Sequence, residues 1–137
     1  MLTAARAAAA ALSSTFCLCP TGDSKGFTAR LYFSIVHHCI PVWIDGFGRG
    51  LQWSELAWPF PLSIDWRRVV IFGTLDDVLN GALMRKLVHL QTSREAEARL
   101  GYMRTISHHL VFDRQPGAPD ASDAALREIE HRVLRPR

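Results

Sequence analysis

Two adjacent histidine pairs, His37 with His38 and His108 with His109, and three cysteines, Cys17, Cys19 and Cys39, carry the side chains best suited to chemistry. Neighbouring residues on a helix point about 100° apart, so an adjacent pair does not naturally give two ligands to one metal. Helical ligand pairs stand three or four residues apart, and no His-x-x-His pattern occurs. A zinc site built from Cys17, Cys19 and the His37, His38, Cys39 run would need a C-x-C knuckle in place of C-x-x-C, and a haem or metal joining His38 to His108 lacks a full ligand set. Asp76 and Asp77, followed by Asn80, fit helix capping better than magnesium binding, because no second acidic motif follows. Gly46, Gly48 and Gly50 fall short of a dinucleotide fingerprint, whose third glycine would stand where Leu51 does. With no nucleophile elbow, P-loop or Cys/His dyad motif either, the chain reads as a non-enzyme without catalytic, cofactor or metal residues.

Charge and cysteine usage narrow the partners. Net charge is +3, carried by arginines with only Lys25 and Lys86 beside them. The arginines are scattered, so they suit separate contacts to carboxylates or phosphates more than a nucleic-acid stripe. Three cysteines do not make a disulfide framework, which favours a reducing or mixed compartment over secretion. Hydrophobic residues make up 48% and charged residues 21%, too apolar for a disordered chain and rich for so short a domain. The surplus apolar surface implies a partner or a membrane, and Trp43, Trp53, Trp58 and Trp66 cluster as such surfaces do.

Five segments must position these residues. Residues 1–20 open as MLTAARAAAAALSST, with Arg6 their one charge, and resemble in composition a mitochondrial presequence. Residues 21–26 form a turn-rich linker, 27–112 a helical body, 113–120 a second linker, and 121–137 a C-terminal amphipathic helix. Within the body, Leu31 to Ile44 is too short to span a bilayer and is broken by Pro41. It reads as a buried or interfacial helix ending near Cys39, with a buried strand as the alternative. Gln52 to Ser63 reads as an irregular aromatic stretch, with Pro59 and Pro61 blocking helix on either side of Phe60. A helix is expected from Ser63 to Phe72, and another from Thr74, capped by Asp77, to Leu90. A third should run from Ser93 to Leu110 behind a capping box of Thr92 and Glu95. The C-terminal helix aligns Leu126, Ile129 and Val133, too few anchors to stand alone, so it must dock.

Asp65, Trp66, Arg67 and Arg68, then Phe72, Gly73 and Gly81, resemble the D-W-R-R, apolar helix and Gly-Pro sequence of small four-span peroxisomal and mitochondrial inner-membrane proteins. The chain departs from that family where Ala82 to Leu87 replace its proline and His-x-Trp-Tyr cluster. The resemblance implies an inner-membrane relative. Together these features predict a mainly α fold, a small irregular helical domain with extended aromatic segments that is completed by partners. The expected function is a non-catalytic accessory subunit of a mitochondrial membrane complex of the respiratory chain or ATP synthase, associated with the inner membrane. Trp53, Trp58, Phe60, Trp66, Arg67 and Arg68 would anchor it to other protein subunits or lipids. The alternatives are a mitochondrial ribosomal protein with arginines on rRNA, and a small His-ligated metal or haem protein.

Overall fold

The chain folds around a parallel β-sheet that the helical expectation omitted. The computed structural model describes residues 3–21, 29–45, 58–112, 117 and 119–134. Helix α1 (Ala4–Leu12) is followed by strand β1 (Phe16–Pro20), helix α2 (Ala29–Val36) and strand β2 (Ile40–Asp45). After a 3-10 turn at Trp66–Arg68 come strand β3 (Ile71–Thr74) and helices α3 (Leu75–Leu79), α4 (Ala82–Thr92), α5 (Glu95–Ile106) and α6 (Ala121–Leu134). The sheet order is β1-β2-β3, all parallel, with Phe16 opposite Ile40 and Val42 opposite Ile71. The fold is therefore mixed α/β, not mainly α.

The physical reason lies in β2. Ile40, Pro41, Val42, Trp43, Ile44 and Asp45 are all buried, the pattern of a central parallel strand with both faces covered. Such a strand shows no two-residue alternation, and its apolar run continues that of α2, so the stretch read first as a helix ending near Cys39 and only second as a buried strand. His38 makes the break between them. It takes the left-handed conformation (φ 56°), while the Cys39 amide donates to the Ser34 carbonyl and closes the end of α2. The segment from Ser63 to Phe72 is likewise not a helix. Asp65 caps only one 3-10 turn, and Ile71 and Phe72 then join the sheet edge. Residues 16–20, taken by the sequence as part of a presequence-like helix, form β1.

Thr74 behaves as its spacing foretold. Its hydroxyl accepts from the Asp77 amide at 3.1 Å, and the Asp77 carboxylate accepts from the Thr74 amide at 2.9 Å. The helix it starts is short, however, because the chain turns at Gly81 (φ 75°) and restarts as α4. That interruption splits the expected apolar stripe. Leu83, Leu87 and Leu90 are buried, while Leu75, Val78 and Leu79 remain exposed. Each buried leucine contributes about 1.5–3 kcal/mol. Gly73 also matters to this packing, since a Cβ there would lie 3.0 Å from Leu83 Cδ1. The Thr92 and Glu95 box does not form: α5 begins after Arg94 in the left-handed region, and the Thr92 hydroxyl donates back to the Val88 and His89 carbonyls.

Helix α6 docks by its small face. Ala121, Ala124 and Glu128 are buried, and the Glu128 carboxylate accepts from the Leu62 amide at 2.7 Å. Leu126, Ile129 and Val133, expected as its anchors, point outward. No helix among the described residues is long and apolar enough to cross a membrane.

Candidate functional site

Polar groups gather where the parallel strands end. Beyond β1, the Thr21 amide and hydroxyl both donate to the Ile44 carbonyl, at 3.0 and 3.2 Å. β2 ends on Asp45, whose side chain is 2% exposed and whose register partner is Thr74 at the end of β3. A carboxylate this buried at the end of an otherwise apolar strand requires polar company. Helix α2 begins at the same end of the sheet, because a parallel crossover must carry the chain back to the opposite end of the strands before β2. Its first turn contains Arg30 and no acidic residue, so the helix dipole and the guanidinium reinforce one another as a positive end. Below that turn the Ser34 hydroxyl donates to the Arg30 carbonyl at 2.8 Å and lies 3.5 Å from the Cys19 sulfur. Burial raises the Cys19 thiol above its ordinary pKa, with Ser34 and Arg30 pulling the other way. Cys19 is therefore a neutral, packed thiol and not a nucleophile.

A second feature lies on the segment leading into β3. Trp58 stacks on Trp66, with ring centres 5.1 Å apart, and Tyr32 of α2 meets Trp66 edge-on at 6.4 Å. The Trp66 indole N–H donates to the Pro59 carbonyl at 2.6 Å, and the Asp65 amide donates to the Tyr102 hydroxyl at 2.7 Å. The Arg68 guanidinium sits 3.9 Å above the Tyr102 ring. Arg99 donates to the Arg67 carbonyl at 2.8 Å while pairing with Glu95 at 3.0 Å. These residues frame an open pocket of about 510 Å³ lined by Trp58, Asp65, Trp66, Arg67 and Tyr102 among others.

Of the residues expected to anchor partners, Trp58, Phe60, Trp66, Arg67 and Arg68 thus come together, and Trp53 lies outside the described residues. Trp66 is not a plug into a neighbour. Trp66 is only 3% exposed and belongs to this chain's own core, against which Trp58 and Phe60 pack. The histidines are explained locally. His37 Nδ1 bonds the Phe33 carbonyl at 2.8 Å, His38 turns the chain into β2, and His108 lies against His109 with ring centres 3.9 Å apart. Among the described residues no three His, Cys, Asp or Glu side chains converge on a metal position.

The sequence reading missed two things. Cys17 and Cys39 form a disulfide, which removes two of the supposed zinc ligands and weighs against the reducing side of the expected reducing or mixed compartment. Their pairing became visible only once β1 and β2 lay in register, with Cys17 opposite Pro41. Asp45 was the other omission. An acidic residue closing an apolar run of strand length, just before three glycines, was the available signal.

A family model described as the Exostosin GT47 domain matches residues 4–90, well over half of the chain. No curated protein and no solved structure matches it. The match includes α1, the whole sheet and most of α4. It replaces the resemblance to four-span inner-membrane proteins, since the family is one of glycosyltransferases. It likewise overturns the expectation of a non-catalytic respiratory-chain or ATP-synthase subunit, and neither the ribosomal nor the metal and haem alternative gains support. The mitochondrial address falls too, because the domain is typical of Golgi glycosyltransferases. The alanine-rich start that suggested a presequence is helix α1, inside the matched region.

Proposed function

The chain belongs to the exostosin GT47 domain family, and from that premise we propose that it serves glycosyl transfer by holding an activated sugar donor beyond the C-terminal ends of β1 and β2. In parallel α/β sheets ligands sit outside the carboxyl ends of the strands. The observation that carries the reading is the polar edge formed there by Thr21, Asp45 and Thr74 on a sheet that is otherwise apolar. Asp45, buried and already partnered, is placed to hold the polar groups of this end of the sheet where sugar hydroxyls can meet them. The first turn of α2 with Arg30 suits the opposite need. As the acceptor hydroxyl attacks the anomeric carbon and gives up its proton to solvent, the bond to the leaving group breaks, negative charge grows on the departing phosphate, and a positive helix end stabilises it.

The disulfide between Cys17 and Cys39 supports an oxidising, luminal compartment for this activity, as secretory-pathway proteins keep such bonds. The test is release of labelled sugar from a panel of nucleoside-diphosphate sugars, with and without oligosaccharide acceptors. Turnover of at least one donor, lost in Asp45→Asn, is the expected result. A folded chain that turns over and binds none of them overturns the reading.

A further inference from the structure

Three arginines gather on a part of the surface that the donor reading does not use. Arg67 and Arg68, on the turn before β3, and Arg99 of α5 line an open cleft of about 240 Å³ with Glu95 and Ala98. Three guanidiniums against one carboxylate leave two positive charges over. We propose that the cleft binds a doubly charged tetrahedral oxyanion, a sulfate or phosphate group that is free or carried on a saccharide.

The surplus charge is not answered within the chain. Glu95 is engaged by Arg99, and among the described residues neither Arg67 nor Arg68 pairs with a carboxylate. Guanidiniums lining one cleft repel one another, and an anion among them turns that repulsion into attraction. Two of the three are also held in place by the protein. The Arg68 guanidinium rests on the Tyr102 ring, and Tyr102 is in turn fixed through its hydroxyl, which accepts from the Asp65 amide. Arg99 is gripped at both tips of its fork, by the Arg67 carbonyl and the Glu95 carboxylate, while each terminal nitrogen keeps a second N–H to give. Its Nε–H is buried without an acceptor among the described residues, a cost that negative charge in the cleft offsets. Guanidiniums already ordered lose little freedom on binding, and their planar forks fit the oxygens of sulfate and phosphate. The helix adds to the field. Glu95 and Ala98 stand in the first turn of α5, whose start has no capping side chain, so the positive end of its dipole lies at the cleft. The size of the charge selects the ligand class: a dianion cancels the two charges left over, whereas a carboxylate or a neutral saccharide does not.

Calorimetry and NMR titration of the full chain at constant ionic strength, with inorganic sulfate, glucose 6-sulfate, glucose 6-phosphate and glucose as probes, test the proposal. The three anions should bind and shift the side-chain N–H signals of Arg68 and Arg99, and glucose should not. Tighter binding of the sugar esters than of inorganic sulfate assigns the cleft to a saccharide-borne group, and equal binding assigns it to the free anion. The paired Arg67→Gln and Arg68→Gln change should weaken the anions by about tenfold or more through the loss of charge-assisted hydrogen bonds. Glu95→Gln should strengthen them several-fold, an increase that a merely structural cluster does not give. Failure of all three anions to bind the folded chain overturns the proposal, as does equal affinity in the wild type and the double variant. No probe is a nucleoside-diphosphate sugar, so either result leaves the donor reading to its own test.

Discussion

The sulfur of Cys17 on β1 is joined to that of Cys39, the residue that leads into β2, across a Cα separation of 5.7 Å. The bond closes a loop that contains all of α2, so it restrains the crossover on which the proposed donor edge depends. In the unfolded chain that closure removes conformational entropy, worth about 3 kcal/mol for a loop of this order. Reduction, or the paired Cys17→Ser and Cys39→Ser change, should lower the thermal midpoint accordingly. Calorimetry under oxidising and reducing conditions checks this, and identical midpoints would show that the bond is dispensable.

His38 occupies the left-handed region where glycine is at ease, and its Nδ1 is buried without a hydrogen bond. His38→Gly should therefore stabilise the fold by about 1 kcal/mol, the relief of backbone strain exceeding the added freedom of the unfolded chain. Urea unfolding would show it as a higher midpoint at unchanged slope.

His109 gives a pH signature. Burial, then the charges of His108 and Arg127, hold its pKa below the ordinary imidazole value against the smaller pull of Asp123. The folded protein thus resists a proton that the unfolded chain accepts. Stability is full above the unfolded imidazole pKa and declines as the pH falls from there toward the lower folded value. His109→Gln should flatten that decline in unfolding curves taken between pH 7 and pH 5.

The split between α3 and α4 predicts unequal leucines. Leu87→Ala should cost about 2–5 kcal/mol, and Leu79→Ala, at 76% exposed, within about 0.5 kcal/mol. Equal effects would mean that the stripe runs unbroken through Gly81.

That split also explains what was legible in the sequence. The Thr74 cap with Asp77 and the buried face of α5 at Ala96 and Met103 follow from local spacing, and the structure has both. The sheet was hidden because its pairing partners are far apart in the chain. Ile40 meets Phe16, and Val42 meets Ile71, contacts that no window of a dozen residues contains. A central strand buried on both faces shows no alternation to betray it, so the run from Leu31 read as a helix ending near Cys39 and the strand stood only as the alternative. Of the candidate site, the aromatic and arginine residues were visible, but as partner anchors. Trp66 packs inward, and only the fold shows that Trp58, Asp65, Arg67 and Tyr102 face one pocket. Asp45 went unremarked because an acidic residue next to glycines resembles any turn.

The account turns most directly on Asp45. Calorimetric titration of nucleoside-diphosphate sugars into the oxidised wild-type chain and into Asp45→Asn, with thermal unfolding to confirm that both are folded, measures its part in donor binding. Disturbing the buried hydrogen bonds that hold this end of the sheet, worth about 1–3 kcal/mol, predicts affinity weaker by about tenfold or more in the variant. Equal affinity in the two folded proteins would contradict a donor site at the C-terminal edge of the sheet.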